Sequence, residues 1–261
     1  MPSNISWLAK KKRSLFSIIF IPAMLLAVAA AAVYYIAYVV NKPRFVRYAA
    51  FGIDIPVNYA IHGIDVSRYQ FTIDWEAVKE MQDKQVKIGF AFIKATEGLG
   101  RVDASFRQNW FRARQAKVPR GAYHFFISSK SGKAQAENFI STVSLAKGDL
   151  PPVLDIETAN GASVAEVQQR VRDWLQMIEK YYKVKPIIYT NIDFYENFLD
   201  GAFDQYPLWI AHYLVKDKPR IKRSWSFWQH NEAGRVNGIS ALVDFNVFNG
   251  DSAAFRKMLV R

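Results

Sequence analysis

From Ile61 onward the sequence alternates short apolar runs with longer segments whose apolar residues recur every three or four positions. Few folds accept that rhythm. The strand-like runs fall at 61–66, 88–94, 121–126, 152–156, 186–190, 207–211, 225–229 and 242–247. Helical segments at 74–84, 104–117, 133–147 and 163–183 separate the first five, with Val171, Trp174, Leu175 and Ile178 forming the inward stripe of the fourth. A shorter helix, about 191–200, fits before the sixth strand, and the last connections are too short for good helices. Alternating β and α units imply a parallel sheet. Eight such strands predict an α/β fold: a closed (β/α) barrel with reduced outer helices in its C-terminal half, spanning residues 61–261. An open doubly wound sheet is the rival. No glycine-rich phosphate loop follows the first strand, which argues against its nucleotide-binding form.

The first sixty residues read differently. From Ser14 to Val40 no residue is charged, and at about 1.5 Å per residue the run exceeds the ~20 residues that cross a bilayer. A cleaved signal peptide would have a shorter apolar region, about 7–15 residues, ending at a small-residue site. Here Ala27–Ala32 is followed by further apolar residues, so an uncleaved transmembrane helix at 14–40 is expected. Lys10–Arg13 form a tight basic block before it, against Lys42, Arg44 and Arg47 spread behind it. The positive-inside rule then puts the tail 1–13 in the cytoplasm of a single-pass protein of the cytoplasmic (inner) membrane. The large domain would face the periplasm or the cell exterior. Residues 41–60, with Pro43 and Pro56, read as a linker.

Charge and composition exclude several classes of function. Seven basic and no acidic residues in the first fifty account for much of the net +12, leaving +5 for the rest. No dense basic cluster interleaved with aromatics suggests nucleic acid. The chain has no cysteine, hence no disulfide, thiolate nucleophile or thiolate metal ligand. Its four histidines (His62, His124, His212, His230) lack the spacing of metal ligands, so neither metal nor cofactor is expected. His124, on an apolar strand, reads as a core residue. No G-x-S-x-G elbow offers a serine nucleophile.

Barrel active sites lie at the C-terminal ends of the strands. The polar residues expected there are Asp65 on the first strand, Lys94, Thr96 and Glu97 after the second, Tyr123 on the third, Asp155 and Glu157 on the fourth, and Tyr189 on the fifth. Trp209 and His212 belong to the sixth, Trp228 and Gln229 to the seventh, Asp244 to the last. In Asp155-Ile156-Glu157 two carboxylates share a strand face, about 6.6 Å apart along the chain. Mutual repulsion raises one pKa, leaving a proton donor beside a charged partner. Glycoside hydrolysis needs that division, with aromatic platforms for sugar faces. Tyr123, Tyr189, Trp209 and Trp228 read equally as such platforms or as barrel packing. Asp65 and Asp244 would complete a ring of four acids.

The segments His62-Gly63-Ile64-Asp65-Val66-Ser67-x-x-Gln70 with Asp74-Trp75, Ile93-Lys94-Ala95-Thr96-Glu97-Gly98 and Gly121-Ala122-Tyr123-His124-Phe125 resemble glycoside hydrolase family 25. Pro152–Glu157, Leu208–Ala211, Phe227-Trp228-Gln229 and Val243-Asp244-Phe245-Asn246 continue it in the same order, so the resemblance covers about residues 61–250. It implies a reduced barrel and an N-acetylmuramidase (lysozyme) that cuts the β-1,4 bond between N-acetylmuramic acid and N-acetylglucosamine in peptidoglycan. It further implies Glu157 as general acid/base, Asp155 as nucleophile or steadier of a reacting acetamido group, and Asp65 and Asp244 lining the cleft. Tyr123, Tyr189, Trp209, Trp228, Gln229 and Glu97 are the expected substrate contacts. One departure bears on the first loop: Phe71 stands where the family pattern leads one to expect glycine. A non-catalytic peptidoglycan-binding factor on the same fold is the reading from another class. A chitin-type hydrolase is the third, and the chain lacks the D-x-x-D-x-D-x-E strand of those barrels.

Overall fold

A computed structural model describes residues 20–41, 44–215 and 217–261. It divides into two units, Met1–Pro43 and Arg44–Arg261. In the first, the apolar run forms helix α1, Ile21–Asn41. The basic block Lys10–Arg13 and the start of the run lie outside the described residues. Over the residues whose side chains are described, 23–36 being the longest unbroken stretch of α1, no helix is long and apolar enough to cross a membrane.

The second unit opens where a linker was expected. Residues 44–56 form an antiparallel hairpin, β1 (Phe45–Tyr48) and β2 (Ile53–Pro56), joined by a turn that places Gly52 at φ 69°. Tyr48, Phe51, Ile53 and Ile55 are all buried in the core outside the barrel wall. This apolar content explains why the segment folds back instead of spanning solvent.

The barrel strands then follow: β3 (Ile61–Val66), β5 (Val86–Glu97), β7 (Arg120–Phe125), β8 (Val153–Asp155), β9 (Ile187–Asn191), β10 (Leu208–Ala211), β11 (Phe227–Gly234) and β12 (Val243–Phe248). Two-residue strands β4 (Gln82–Asp83) and β6 (Arg101–Val102) extend β5 at its two ends. The order β3-β12-β11-β10-β9-β8-β7-β5 closes on itself through β3 and β5. Outer helices α2 (Trp75–Glu80), α3 (Phe106–Gln115), α4 (Gly132–Thr142) and α5 (Val164–Tyr182) cover the first half. After β9 only α6 (Ile192–Phe194) and one wider helical turn, Tyr195–Leu199, remain, and α7 (Ser252–Met258) follows β12. Val171, Trp174, Leu175 and Ile178 of α5 are buried as the spacing predicts.

One strand departs from the expected parallel barrel. β12 runs antiparallel to both β11 and β3. Its connection to β11 is a loop of eight residues, 235–242, too short for the crossover that parallel neighbours need.

Alternation along each strand sorts the side chains into two cores. Phe90, Phe92, Val153, Ile187, Phe227 and Phe248 point into the barrel, and Phe255 of α7 packs beside them. Ile64, Ala91, Ile93, Leu154, Ile188, Ile210 and Trp228 point out toward the helices and the hairpin. The interior is crowded enough to require glycine: a Cβ on Gly63 would come 2.5 Å from the Phe90 ring, and one on Gly121 2.6 Å from Phe92. The phenyl rings fill the lower barrel, and the polar side chains of the cleft gather at the upper mouth.

Candidate active site

The mouth holds a cleft of about 300 Å³ lined by Asp65, Asp155, Glu157 and Asp244, with Lys94, Tyr123, Tyr189, Trp209, Gln229 and others around them. The four acids come from β3, β8, the residue two beyond β8, and β12. Asp244 lies near the beginning of its strand, where a parallel barrel would have put it at the opposite end. It reaches the mouth because β12 is reversed, facing Asp65 in register.

Asp65 is buried and richly supplied with donors. Gln229 Nε2 donates to its Oδ2 at 2.8 Å and Asn246 Nδ2 donates to the same oxygen at 2.7 Å. These amides are held in turn: Trp209 Nε1 donates to Asn246 Oδ1 at 2.8 Å, and the Tyr189 hydroxyl donates to Gln229 Oε1 at 2.7 Å. The Tyr213 hydroxyl donates to that oxygen as well. Burial pushes the Asp65 carboxyl up, and hydrogen bonds from Asn246, Gln229 and Asp244 pull against it. Asp244 is pushed up to about 9, by burial first and then by the charge of Asp65. Asp244 therefore holds a proton at neutral pH and donates it to Asp65.

The second pair is built the other way. Asp155 is buried, and among the described residues no N–H or hydroxyl reaches its Oδ1. Burial and the neighbouring Glu157 charge raise its pKa well above the carboxylate range. Glu157, half-buried at the open side, is also raised, chiefly by burial. The two carboxyls act on each other, Glu157 raising Asp155 and Asp155 lowering Glu157, so they titrate as a pair. Lys94 lowers both, as the nearby positive charge in the cleft.

Lys94 faces inward by plain alternation with Phe90 and Phe92. The register of β5 on β7 then shifts between Lys94 and Thr96, so Thr96 turns outward to His124, its hydroxyl 2.7 Å from Nδ1. His124 is buried, bonded also to Gln135, and held down at about 4 by burial, a core residue as the sequence suggested. Glu97 binds Lys94 at 2.8 Å and Arg101 at 2.8 Å. It stands outside the cleft lining and fixes the lysine, where a direct substrate contact was expected.

Trp228 also departs from expectation. It is fully buried on the outer face of β11, its ring edge-on to Phe45 and Tyr59 and its Nε1 donating to the His212 carbonyl at 2.9 Å. Gln229, the next residue, points into the barrel, and two consecutive strand residues cannot share a face. Tyr123, Tyr189 and Trp209 do line the cleft, Trp209 stacked on Phe92 with centroids 4.3 Å apart. Sequence reasoning assigned no role to Asn246, Tyr213 or Glu232. Asn246 was legible as the second inward residue after Asp244. Tyr213 sits in the loop after β10, where no periodicity points.

The first loop keeps a glycine-type path despite Phe71. That residue has φ 55° and ψ −132°, a backbone glycine adopts freely and others only at a cost of about 1–3 kcal/mol. A capping box of Ser67 and Gln70 shapes the turn, and Gln70 Nε2 ties it to the Leu242 carbonyl at 3.0 Å.

Residues 64–239 match the family described as Glycosyl hydrolases family 25. Among curated proteins, YegX of Escherichia coli K12 is 48% identical over 201 residues, 77% of this chain and 74% of that one. Lysozyme M1 of Streptomyces globisporus is 36% identical over 208 residues, 74% of this chain and 69% of its own. A family 25 glycosyl hydrolase structure from Bacillus anthracis superposes with a TM-score of 0.71 at 33% identity, covering 79% of this chain and 96% of that one.

Proposed function

Because the chain belongs to glycosyl hydrolase family 25, we propose that it is a muramidase cutting the β-1,4 bond between N-acetylmuramic acid and N-acetylglucosamine. The observation that carries this reading is the pairing of buried Asp155 with the more open Glu157 in an acid-lined cleft, where burial raises both carboxyls. Glu157, the more exposed of the two, protonates the glycosidic oxygen as positive charge develops at the anomeric carbon. Glu157 is left as a carboxylate, while the anomeric carbon is captured from the opposite face by Asp155 or by the acetamido oxygen that Asp155 orients. Glu157 next takes a proton from the water that opens this intermediate, so two inversions retain the configuration. A direct nucleophile stands about 5–5.5 Å from the acid. Here the two carboxyls are within hydrogen-bonding reach, which favours Asp155 orienting the substrate's acetamido group for attack over Asp155 attacking itself. Asp65 and Asp244 form the opposite wall and hold one negative charge there.

The apolar run Ser14–Val40 anchors this barrel in the cytoplasmic membrane, with the basic N-terminal tail inside and the barrel outside. The charge asymmetry of the flanks and the helix Ile21–Asn41 support it. Flotation of the full chain with lipid vesicles at high salt tests the anchor; a chain left at the bottom of the gradient removes it.

Digestion of purified peptidoglycan by the full chain, beside Glu157→Gln, tests the reaction. Fragments with reducing-end N-acetylmuramic acid, reduced roughly 10²–10⁴-fold in the variant, are expected by mass spectrometry. Reducing-end N-acetylglucosamine would overturn the bond, and binding without fragments would overturn the hydrolase.

A further inference from the structure

Phe71 combines two features that stability alone does not explain. Its backbone is one that glycine adopts without strain, and its side chain is 69% exposed. Burial therefore does not offset the strain. Among the described residues no ring or cation packs on it, whereas the Arg68 guanidinium lies over its neighbour Tyr69, 5.0 Å from the ring centroid. Tyr69 and Gln70 line the acid cleft, and Gln70 holds the carbonyl of Leu242, itself half exposed. Tyr69, Phe71 and Leu242 thus expose apolar side chains on segments that Tyr69 and Gln70 join to the cleft rim.

Strain kept at an exposed aromatic beside a binding cleft is explained by a ligand that covers the ring. We propose that Phe71 is a stacking platform for a pyranose ring of the glycan strand, outside the acid cluster, which holds the polymer as its reactive linkage reaches Glu157. The uncharged phenyl face suits the C–H face of a sugar and makes no demand on charge. This rests on peptidoglycan glycan as the substrate.

The test uses the full chain in detergent, in a Glu157→Gln background so that cleavage does not enter, with binding to purified peptidoglycan read by co-sedimentation. Phe71→Gly is expected to melt roughly 2–8 °C higher, through release of the strain. It should nevertheless bind about three- to tenfold more weakly. Phe71→Trp should restore the affinity without the gain in melting temperature. Equal affinity of Phe71→Gly and its parent overturns the platform while leaving the hydrolase reading intact. A chain with Glu157 in place that releases no fragments, yet loses binding through Phe71→Gly, ends the hydrolase reading and keeps the platform. No binding by any form overturns both.

Discussion

The two acid pairs at the barrel mouth are equally crowded, yet they are supplied differently. Asp65 takes hydrogen bonds from two amides and from the proton of Asp244. Among the described residues Asp155 Oδ1 has no N–H or hydroxyl donor, and its carboxyl is coupled to Glu157. Burial raises all four groups, so burial does not separate the pairs. The donor supply does. Where amides converge, a carboxylate is held in place; where they are withheld, two carboxyls are left to each other. The lesson is that one mouth can house two acid pairs in opposite surroundings a few side chains apart.

That contrast breaks most severely at Gln229. Gln229→Leu removes a donor from Asp65 and orphans the hydroxyls of Tyr189 and Tyr213. A loss of roughly 2–4 kcal/mol in denaturant unfolding is expected; a change under half that would show that the amide network holds Asp65 without Gln229.

A smaller effect appears in the pH dependence of the melting temperature. Asp244 is raised to about 9 in the fold against an ordinary value near 3.9, so the folded chain binds the extra proton between those limits. Its contribution is complete below about 4 and fades as pH rises through about 9. His62 and His230, lowered by burial to about 4 and about 3, act in the opposite sense. Their contribution is complete above about 6.5 and is lost as pH falls toward those values. Stability should peak in mildly acid to neutral solution. Asp244→Asn should flatten the alkaline limb alone; an unchanged limb would move the proton elsewhere.

The smallest effect should come from Trp228, behind the wall that carries the pairs. Trp228→Phe loses the bond to the His212 carbonyl and some packing under the hairpin, about 1–2 kcal/mol. Its KM for peptidoglycan should not move, and a raised KM would return Trp228 to the cleft.

Much of this was legible in the order of residues. The eight strands and four large helices follow from periodicity, and the acids from their position at strand ends. Asp244 was found for an incomplete reason. Its neighbours mark it as a site residue, but only the reversal of β12, imposed by a short connection, brings it to the mouth. Trp228 was misplaced because motif proximity was weighed above alternation: once Gln229 faces inward, its neighbour faces out. The hairpin at 44–56 was hidden by Pro56 and by the basic Arg44 and Arg47, although Tyr48, Phe51, Ile53 and Ile55 supply four buried side chains. Tyr213 depends on a long-range fit that no local pattern encodes.

The reversed last strand has a consequence in time. β12 closes the barrel by pairing with β3, the first strand of the wall, so a ring of β-structure needs both ends of the domain. At about 5–20 residues per second, roughly ten seconds or more of synthesis separates the two. Until then β3 has no final partner on one edge, and closure must span nearly the whole domain, which slows folding. The acid ring is therefore the last part of the barrel to assemble: Asp65 is made early, but it meets Asp244 only after the final wall strand has emerged.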